Sequence, residues 1–142
     1  MSDANDAGEF GCSIGLTNPA KRQLLSPSAI SLFIGIACRW SLKDSDALGL
    51  LGAVTPATLL EWKSENQGRT LGQEMLTRIS YIVDIFKALN ICHGQELADT
   101  WVKLPNQNPI FAGETPVGYM IRNGQPGLAI VRQLLEARCQ GQ

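Results

Sequence analysis

The sequence has 142 residues, of which 44% are hydrophobic and 18% charged, an ordinary balance for a globular protein. Twelve basic and thirteen acidic side chains give a formal net charge of −1, which argues mildly against strong nonspecific binding to nucleic acid. No apolar run approaches the ~20 residues that span a bilayer, and the polar, acidic N-terminus lacks the features of a secretory signal. We therefore expect a cytoplasmic protein without a membrane partner, built as one compact domain or as two small domains that share a core.

The cysteines and the single histidine form no metal-binding or catalytic pattern. Cys12, Cys38, Cys92 and Cys139 lie far apart in the sequence, and His93 has only Cys92 beside it. Zinc sites need clustered ligands, so reduced thiols that bind no metal are the simplest interpretation. A catalytic triad or a Cys-His pair would have to use His93, which falls in a predicted loop. We therefore predict a protein that is not an enzyme and that carries no cofactor.

The N-terminal part of the sequence divides near residue 25. Residues 1–25 are rich in glycine, asparagine, serine and acidic side chains without periodicity, which predicts a flexible arm. Order is expected to begin at Ser26-Pro27-Ser28, and apolar residues then recur at helical spacing up to Trp40. We predict a largely buried first helix, with Trp40 in the core instead of at a binding site.

Residues 26–70 also contain the outline of a helix-turn-helix. A short helix is predicted over 43–51, with Asp44 or Ser45 as its N-cap, and Gly52 follows it. Thr55 directly precedes Pro56, a combination of N-cap and first-turn proline that starts a second helix, which runs to about residue 63. Two short helices joined by a tight glycine turn are typical of this motif.

The second of these helices supplies the candidate DNA-binding residues. They are Thr55, Ala57, Thr58, Glu61 and Lys63, with Arg69 in the polar loop that follows. Bases are usually read by Arg, Lys, Asn or Gln, and this helix offers only Lys63. Thr58 suits a phosphate or a thymine methyl group, whereas Glu61 repels phosphate unless it pairs with a cytosine amine. The pattern leaves two interpretations open: DNA binding, or a helix-turn-helix kept as a structural or dimerisation scaffold.

A long helix is predicted next, within residues 71–94. Thr70 is the expected N-cap, and the helix should run from Leu71 to about Leu89. Its predicted buried positions are Leu76, Ile79, Val83, Phe86 and Leu89, and its predicted solvent-facing positions are Arg78, Asp84 and Lys87. An apolar surface this wide indicates that the helix packs against both halves of the chain or against a second copy. We therefore predict a connecting or dimerisation helix in this region.

Residues 95–142 form a C-terminal unit of two helical segments after a short helix over 95–103. Pro105 and Pro109 bracket a segment predicted to be extended, and Thr115 before Pro116 starts a short helix that stops at Asn123-Gly124. A last helix is predicted over 126–138, with Leu128, Val131, Leu134 and Leu135 on one face. Strand signals are absent, so the predicted fold class is all-α: an N-terminal helix-turn-helix bundle joined to a small helical C-terminal domain.

The order of these motifs resembles one family. A Trp followed by Leu-Pro-Asn, then Pro-x-Phe, a Thr-Pro helix start, Gly-x-x-Gly-Leu and Val-Arg-x-Leu-Leu is similar to the C-terminal toxin-binding domain of the Xre/MbcA/ParS antitoxins. The resemblance covers roughly residues 28–138. The predicted helix-turn-helix also resembles that of Xre-like and MerR-like DNA binders, except for one extra residue, Ala53, in the turn. The resemblance implies a homodimeric antitoxin that binds operator DNA and neutralises a RES-domain toxin, an enzyme that degrades NAD.

The resemblance also implies that the end of the chain covers or enters the active-site cleft of the toxin. The toxin-binding residues carried over are Gly127, Arg132, Leu135, Arg138, Cys139 and Gln140. A site that receives the pyrophosphate of NAD should contain basic residues, with which Glu136 or the terminal carboxylate could pair. The two arginines suit acidic residues at its rim, or else are solvated charges on a core-packing helix. Two alternatives remain: a plain transcriptional regulator whose C-terminal domain only dimerises or responds to a ligand, and a scaffold that binds another protein but no DNA.

Overall fold

The computed structural model describes residues 18–52, 54–64 and 70–140, of which residues 139 and 140 are described by their backbone alone. Every regular element in these ranges is a helix, and none of the described residues lies in a strand. The elements are α1 (Pro19–Arg39), α2 (Asp44–Leu51), α3 (Pro56–Lys63), α4 (Gln73–Cys92), α5 (Gln95–Thr100), a short 3-10 helix (Trp101–Lys103) and α6 (Pro116–Gln140). The all-α prediction is confirmed.

Three helices begin with a side-chain cap followed by proline. The Thr55 hydroxyl accepts a hydrogen bond from the Thr58 amide at 3.1 Å, and the Thr115 hydroxyl accepts one from the Gly118 amide at 3.1 Å. Both starts were predicted from the sequence. The third was not: the Asn18 side chain caps α1, which begins at Pro19. Residues 19–25 are therefore helical, and the predicted arm extended too far. Residues 1–17 lie outside the described part of the chain.

The first turn of α4 also differs from the prediction. The helix begins at Gln73, and its N-cap is Gly72, not Thr70. The reason lies in Leu71, which is buried and whose amide donates a hydrogen bond of 2.8 Å to the hydroxyl of buried Ser26 on α1. This anchor holds the chain extended as it approaches α4, so the helix starts two residues later than predicted.

The long helix α4 is central to the fold. It packs against α1 on one side and α6 on another, and it also contacts α2 and α5. Its buried apolar residues belong to a hydrophobic cluster that runs from Leu25 on α1 to Leu135 on α6. The prediction that α4 packs against both halves of the chain is thus confirmed. Trp40 is buried beside Phe86 of α4, with ring centroids 6.2 Å apart, as expected of a core residue.

Arg78 of α4 joins the turn after α2 to a break within α6. Its guanidinium donates to the Leu50 carbonyl at 3.1 Å and pairs with Glu74 on its own helix. Gly52 (φ 85°) and Gly124 (φ 68°) both adopt left-handed backbone angles, which glycine tolerates best. A Cβ added at Gly52 would lie 2.9 Å from the guanidinium, and one at Gly124 would lie 3.5 Å from it. Arg78 was predicted to face solvent, but only 14% of its side chain is exposed.

We expect Arg78→Met to lower the free energy of unfolding by about 1–3 kcal/mol, because the Leu50 carbonyl would lose its charged hydrogen-bond donor. Urea denaturation monitored by circular dichroism measures this change. Lys87→Met is the matched control, since Lys87 is an exposed cation on the same helix, and it should change stability by no more than about 0.5 kcal/mol. Equal effects of the two substitutions would show that Arg78 does not hold the junction.

The segment between the 3-10 helix and α6 is a closed loop instead of the predicted extended segment. The Asn106 amide donates to the Glu114 carbonyl at 3.2 Å, and the Gly113 amide donates back to the Asn106 carbonyl at 2.8 Å. Phe111 is buried inside the loop, edge-on to Trp101 and to Tyr119, with centroid distances of 5.9 and 5.2 Å. These contacts anchor the start of α6 to the preceding helices.

The described cysteines behave differently from one another. Cys38 is an exposed free thiol, whereas Cys92 is disulfide-bonded, and the second cysteine of that bond lies outside the described side chains. The expectation of reduced thiols throughout is therefore wrong at Cys92. No group of three His, Cys, Asp or Glu side chains within the described ranges is placed to hold a metal ion. No helix of the described ranges is long and apolar enough to cross a bilayer.

Candidate functional site

The residues proposed to contact DNA are largely engaged within the protein. Thr55 caps α3 and its hydroxyl also meets that of Thr58 at 3.0 Å. The Lys63 ammonium, in the last turn of α3, donates to the Asp44 carboxylate of α2 at 2.5 Å. Ala57 is exposed and Glu61 is partly buried. Arg69 lies outside the described residues.

The exposed side of α3 is therefore poor in groups that read bases. Leu60 is its most exposed large apolar side chain, with 68% of its surface accessible. Lys63, the single cation of this helix, already has an anionic partner. A DNA interface on α3 would have to rely on hydroxyl and backbone contacts to phosphate more than on readout of base edges.

Two of the residues proposed to contact a toxin lie in the core. Leu135 of α6 is only 2% exposed, and Gly127 is buried where an added Cβ would stand 2.7 Å from the Asn123 side chain. Neither presents a side-chain surface to a partner. Gly127 allows the start of the second half of α6 to pack closely, and Leu135 fills space against the other helices.

Arg132 takes part in an ion-pair cluster between α4 and α6. Its guanidinium lies 3.0 Å from the Asp84 carboxylate and 3.2 Å from that of Glu136. It also stands over the ring of Tyr81, 5.3 Å from the centroid. Since residue 78 lies beside residue 124 and residue 84 beside residue 132, the two helices run in the same direction. Asp84 was predicted to face solvent, and it instead fastens α6 to α4.

Arg138 is exposed near the end of α6. The side chains of Cys139 and Gln140 lie outside the described part of the structure. Of the six residues proposed for toxin binding, Arg138 is thus the one that the structure exposes clearly at the surface, since Arg132 is partly buried in its ion pairs.

Burial raises the pKa of Asp84 above its ordinary value of 3.8, and the positive charge of Arg132 opposes part of that rise. A raised pKa in the folded state means that this carboxyl contributes less to stability as the pH rises from about 3.8 through its raised pKa. We expect Asp84→Asn to gain stability relative to the natural chain between about pH 4 and about pH 7. Urea denaturation at the two pH values measures this. A stability difference that is constant, or that moves toward the natural chain as the pH rises, would contradict the burial of this carboxylate.

The exposed face of α6 carries a stripe of residues that was not predicted from the sequence. Pro126, Ile130, Gln133 and Ala137 are all exposed and recur at spacings of four, three and four. We call these four residues the outer stripe of α6. It carries no charge, and Ile130 at its centre is 39% exposed. Helical periodicity contains the signal that would have found it, because the stripe lies opposite the apolar face formed by Leu128, Val131 and Leu135.

Comparison with known proteins identifies one relative. The chain is 32% identical over 126 residues to the protein of Sinorhizobium fredii called "Uncharacterized protein y4oB". The alignment spans 88% of this chain and 95% of that protein. The chain belongs to the y4oB family. No protein-family model and no solved structure matches it.

The name y4oB states no activity. Since the alignment covers nearly all of both chains, we expect y4oB to share the all-helical fold. Two surfaces of this fold are candidates for binding a macromolecule. They are the exposed side of α3 and the outer stripe of α6.

Proposed function

We propose that this protein is an antitoxin of the RES–Xre type, which binds a RES-domain toxin through α6, covers the NAD-binding active site of that toxin, and represses its own operon as a homodimer bound to operator DNA. Two features support the proposal. The first is the order of motifs from Trp101 onward, which resembles the toxin-binding domain of such antitoxins. The second is the outer stripe of α6, and this observation carries the proposal.

The composition of the outer stripe suits a protein partner. The centres of protein interfaces are depleted of charged residues and contain apolar side chains surrounded by polar ones. Here Ile130 and Ala137 supply apolar contact, and Gln133 between them offers a hydrogen-bonding amide. Arg138 follows the stripe in the sequence and is exposed, and an acidic rim of the partner would contact it there. A helix presented in this way fits the binding of a helix in a groove.

The DNA-binding part of the proposal rests on α2, the Gly52 turn and α3, in the order expected of a helix-turn-helix. The hydroxyl of Thr58 would contact phosphate, since the single O–H of Thr55 already donates to it. Because Lys63 is paired with Asp44, we expect the affinity for DNA to come mainly from the dimer and from backbone contacts. A plain helix-turn-helix regulator, with a C-terminal half that only dimerises, is the alternative. This alternative predicts that substitutions in the outer stripe leave the toxicity of a co-expressed RES-domain toxin unchanged.

A pair of substitutions tests the proposal. Ile130→Glu places a charge at the centre of the outer stripe, and Leu32→Glu places the same charge on α1 at nearly identical exposure, 40% against 39%. Each chain is co-expressed with the RES-domain toxin, and cellular NAD and the affinity of the purified pair are measured. We expect Ile130→Glu to weaken binding at least about tenfold and to leave NAD unprotected, since a charge at an interface centre is desolvated without a partner.

Leu32→Glu controls for the general effect of the charge and should bind and neutralise as the natural chain does. Thermal unfolding of both variants checks that each remains folded. If the two variants protect NAD equally well, the outer stripe is not the contact surface and the proposal for α6 is wrong.

A further inference from the structure

A half-enclosed pocket of about 310 Å³ lies between α1, α2 and α3, a volume within the range of small-molecule sites. Its apolar lining comes from Ile34, Ala37, Leu42, Ala47 and Leu59. Such a lining takes up an aliphatic group and keeps water from it. The free thiol of Cys38 also faces the pocket. The pocket is far from the outer stripe in the sequence and is formed without α6.

The charged groups of the pocket are the two partners of one ion pair. Lys63 and Asp44 both line it, and their side chains are 45% and 69% exposed. The Asp44 carboxylate is thus mostly in water, while the Lys63 side chain borders the apolar wall with its methylene groups. A lysine ammonium has three N–H donors, and one of them donates to Asp44. The same ammonium has donors left for a second carboxylate.

We propose that this pocket binds a small aliphatic monocarboxylate, with its hydrocarbon chain between α1, α2 and α3 and its carboxylate accepting hydrogen bonds from Lys63. The apolar walls are suited to the hydrocarbon chain of the ligand. Lys63, the less exposed partner of the ion pair, is suited to its anionic head group. Neither the toxin nor DNA is needed for this ligand to bind, so its binding is tested separately from the antitoxin proposal.

Octanoate is the probe for the experiment, and octanol and octylammonium are the neutral and cationic comparisons. The full chain is titrated with each by isothermal calorimetry. In parallel, alkylation of Cys38 is followed by mass spectrometry of the tryptic peptide 23–39, which contains no other cysteine. We expect octanoate to bind and to slow alkylation of Cys38, and octanol and octylammonium to bind at least about tenfold more weakly.

Lys63→Met keeps the side-chain length without the charge and should weaken octanoate binding at least about tenfold. Lys43→Met is the matched control, because Lys43 is exposed just before α2 and does not line the pocket, and it should leave the affinity unchanged. Three results would overturn the proposal: no binding of octanoate, equal binding of octylammonium or octanol, or an affinity that Lys63→Met does not alter.

Discussion

A chain that ends at Glu136 should fold normally and, under the antitoxin proposal, fail to neutralise the toxin. The last core residue is Leu135, and Glu136 closes the ion pair with Arg132, so both remain in the shortened chain. The deletion removes Ala137 of the outer stripe and exposed Arg138, both of which the antitoxin proposal places against the toxin. We expect stability, measured with a reductant that opens the disulfide of Cys92 in both chains, to change by less than about 1 kcal/mol, and cellular NAD to fall as though no antitoxin were present.

The control for this deletion is full-length Cys139→Ser. Cys92 is disulfide-bonded and the deletion removes Cys139, so the effect of losing a cysteine has to be separated from that of losing the end of α6. We expect Cys139→Ser to protect NAD fully. A shortened chain that is folded and still restores growth would remove the C-terminal segment from the proposed contact.

Leu135→Ala should lower the free energy of unfolding by about 2–5 kcal/mol, the usual cost of truncating a buried leucine to alanine. Its side chain is 2% exposed and belongs to the cluster that α6 shares with α4 and α1. Such a loss is a large part of the stability of a domain of this size. Urea denaturation gives the value.

Ile130→Ala is the matched comparison, since Ile130 lies on the same helix but is 39% exposed, and it should cost less than about 1 kcal/mol. Comparing the two variants shows which face of α6 is buried and which is exposed. If Leu135→Ala left stability unchanged while it abolished toxin binding, Leu135 would be a contact residue and the orientation of α6 described here would be wrong.

The helix starts show how far local signals reach. Thr55-Pro56 and Thr115-Pro116 were predicted correctly because a cap and a first-turn proline act within one turn of helix. Asn18-Pro19 is the same signal, but it stands in a glycine-rich and acidic stretch whose composition suggested an arm. Thr70 has the right chemistry for a cap and was displaced by a distant contact, the hydrogen bond between Leu71 and Ser26. No local pattern contains that contact.

The candidate site likewise has features that local sequence patterns predict and features set by distant contacts. Helical spacing predicted an inner face of α6 made of Leu128, Val131, Leu134 and Leu135. The structure buries all of them except Leu134, which is partly buried. The resemblance had carried Leu135 over as a contact residue, and for the inner face periodicity was the better guide. The pairing of Arg132 with Asp84 joins residues far apart in the sequence, so periodicity alone assigned Asp84 to solvent. The same periodicity contains the outer stripe, but a stripe without charged residues carries no chemical motif that singles it out.

The most direct test of the antitoxin proposal is co-expression of the full chain with the protein encoded by the adjacent reading frame. Size-exclusion chromatography then detects a complex, and an NAD assay measures toxicity. We predict a stable complex in which NAD loss is suppressed. Absence of a complex, with NAD levels indifferent to this protein, would contradict the proposal and leave the plain regulator, for which operator binding would be the next measurement.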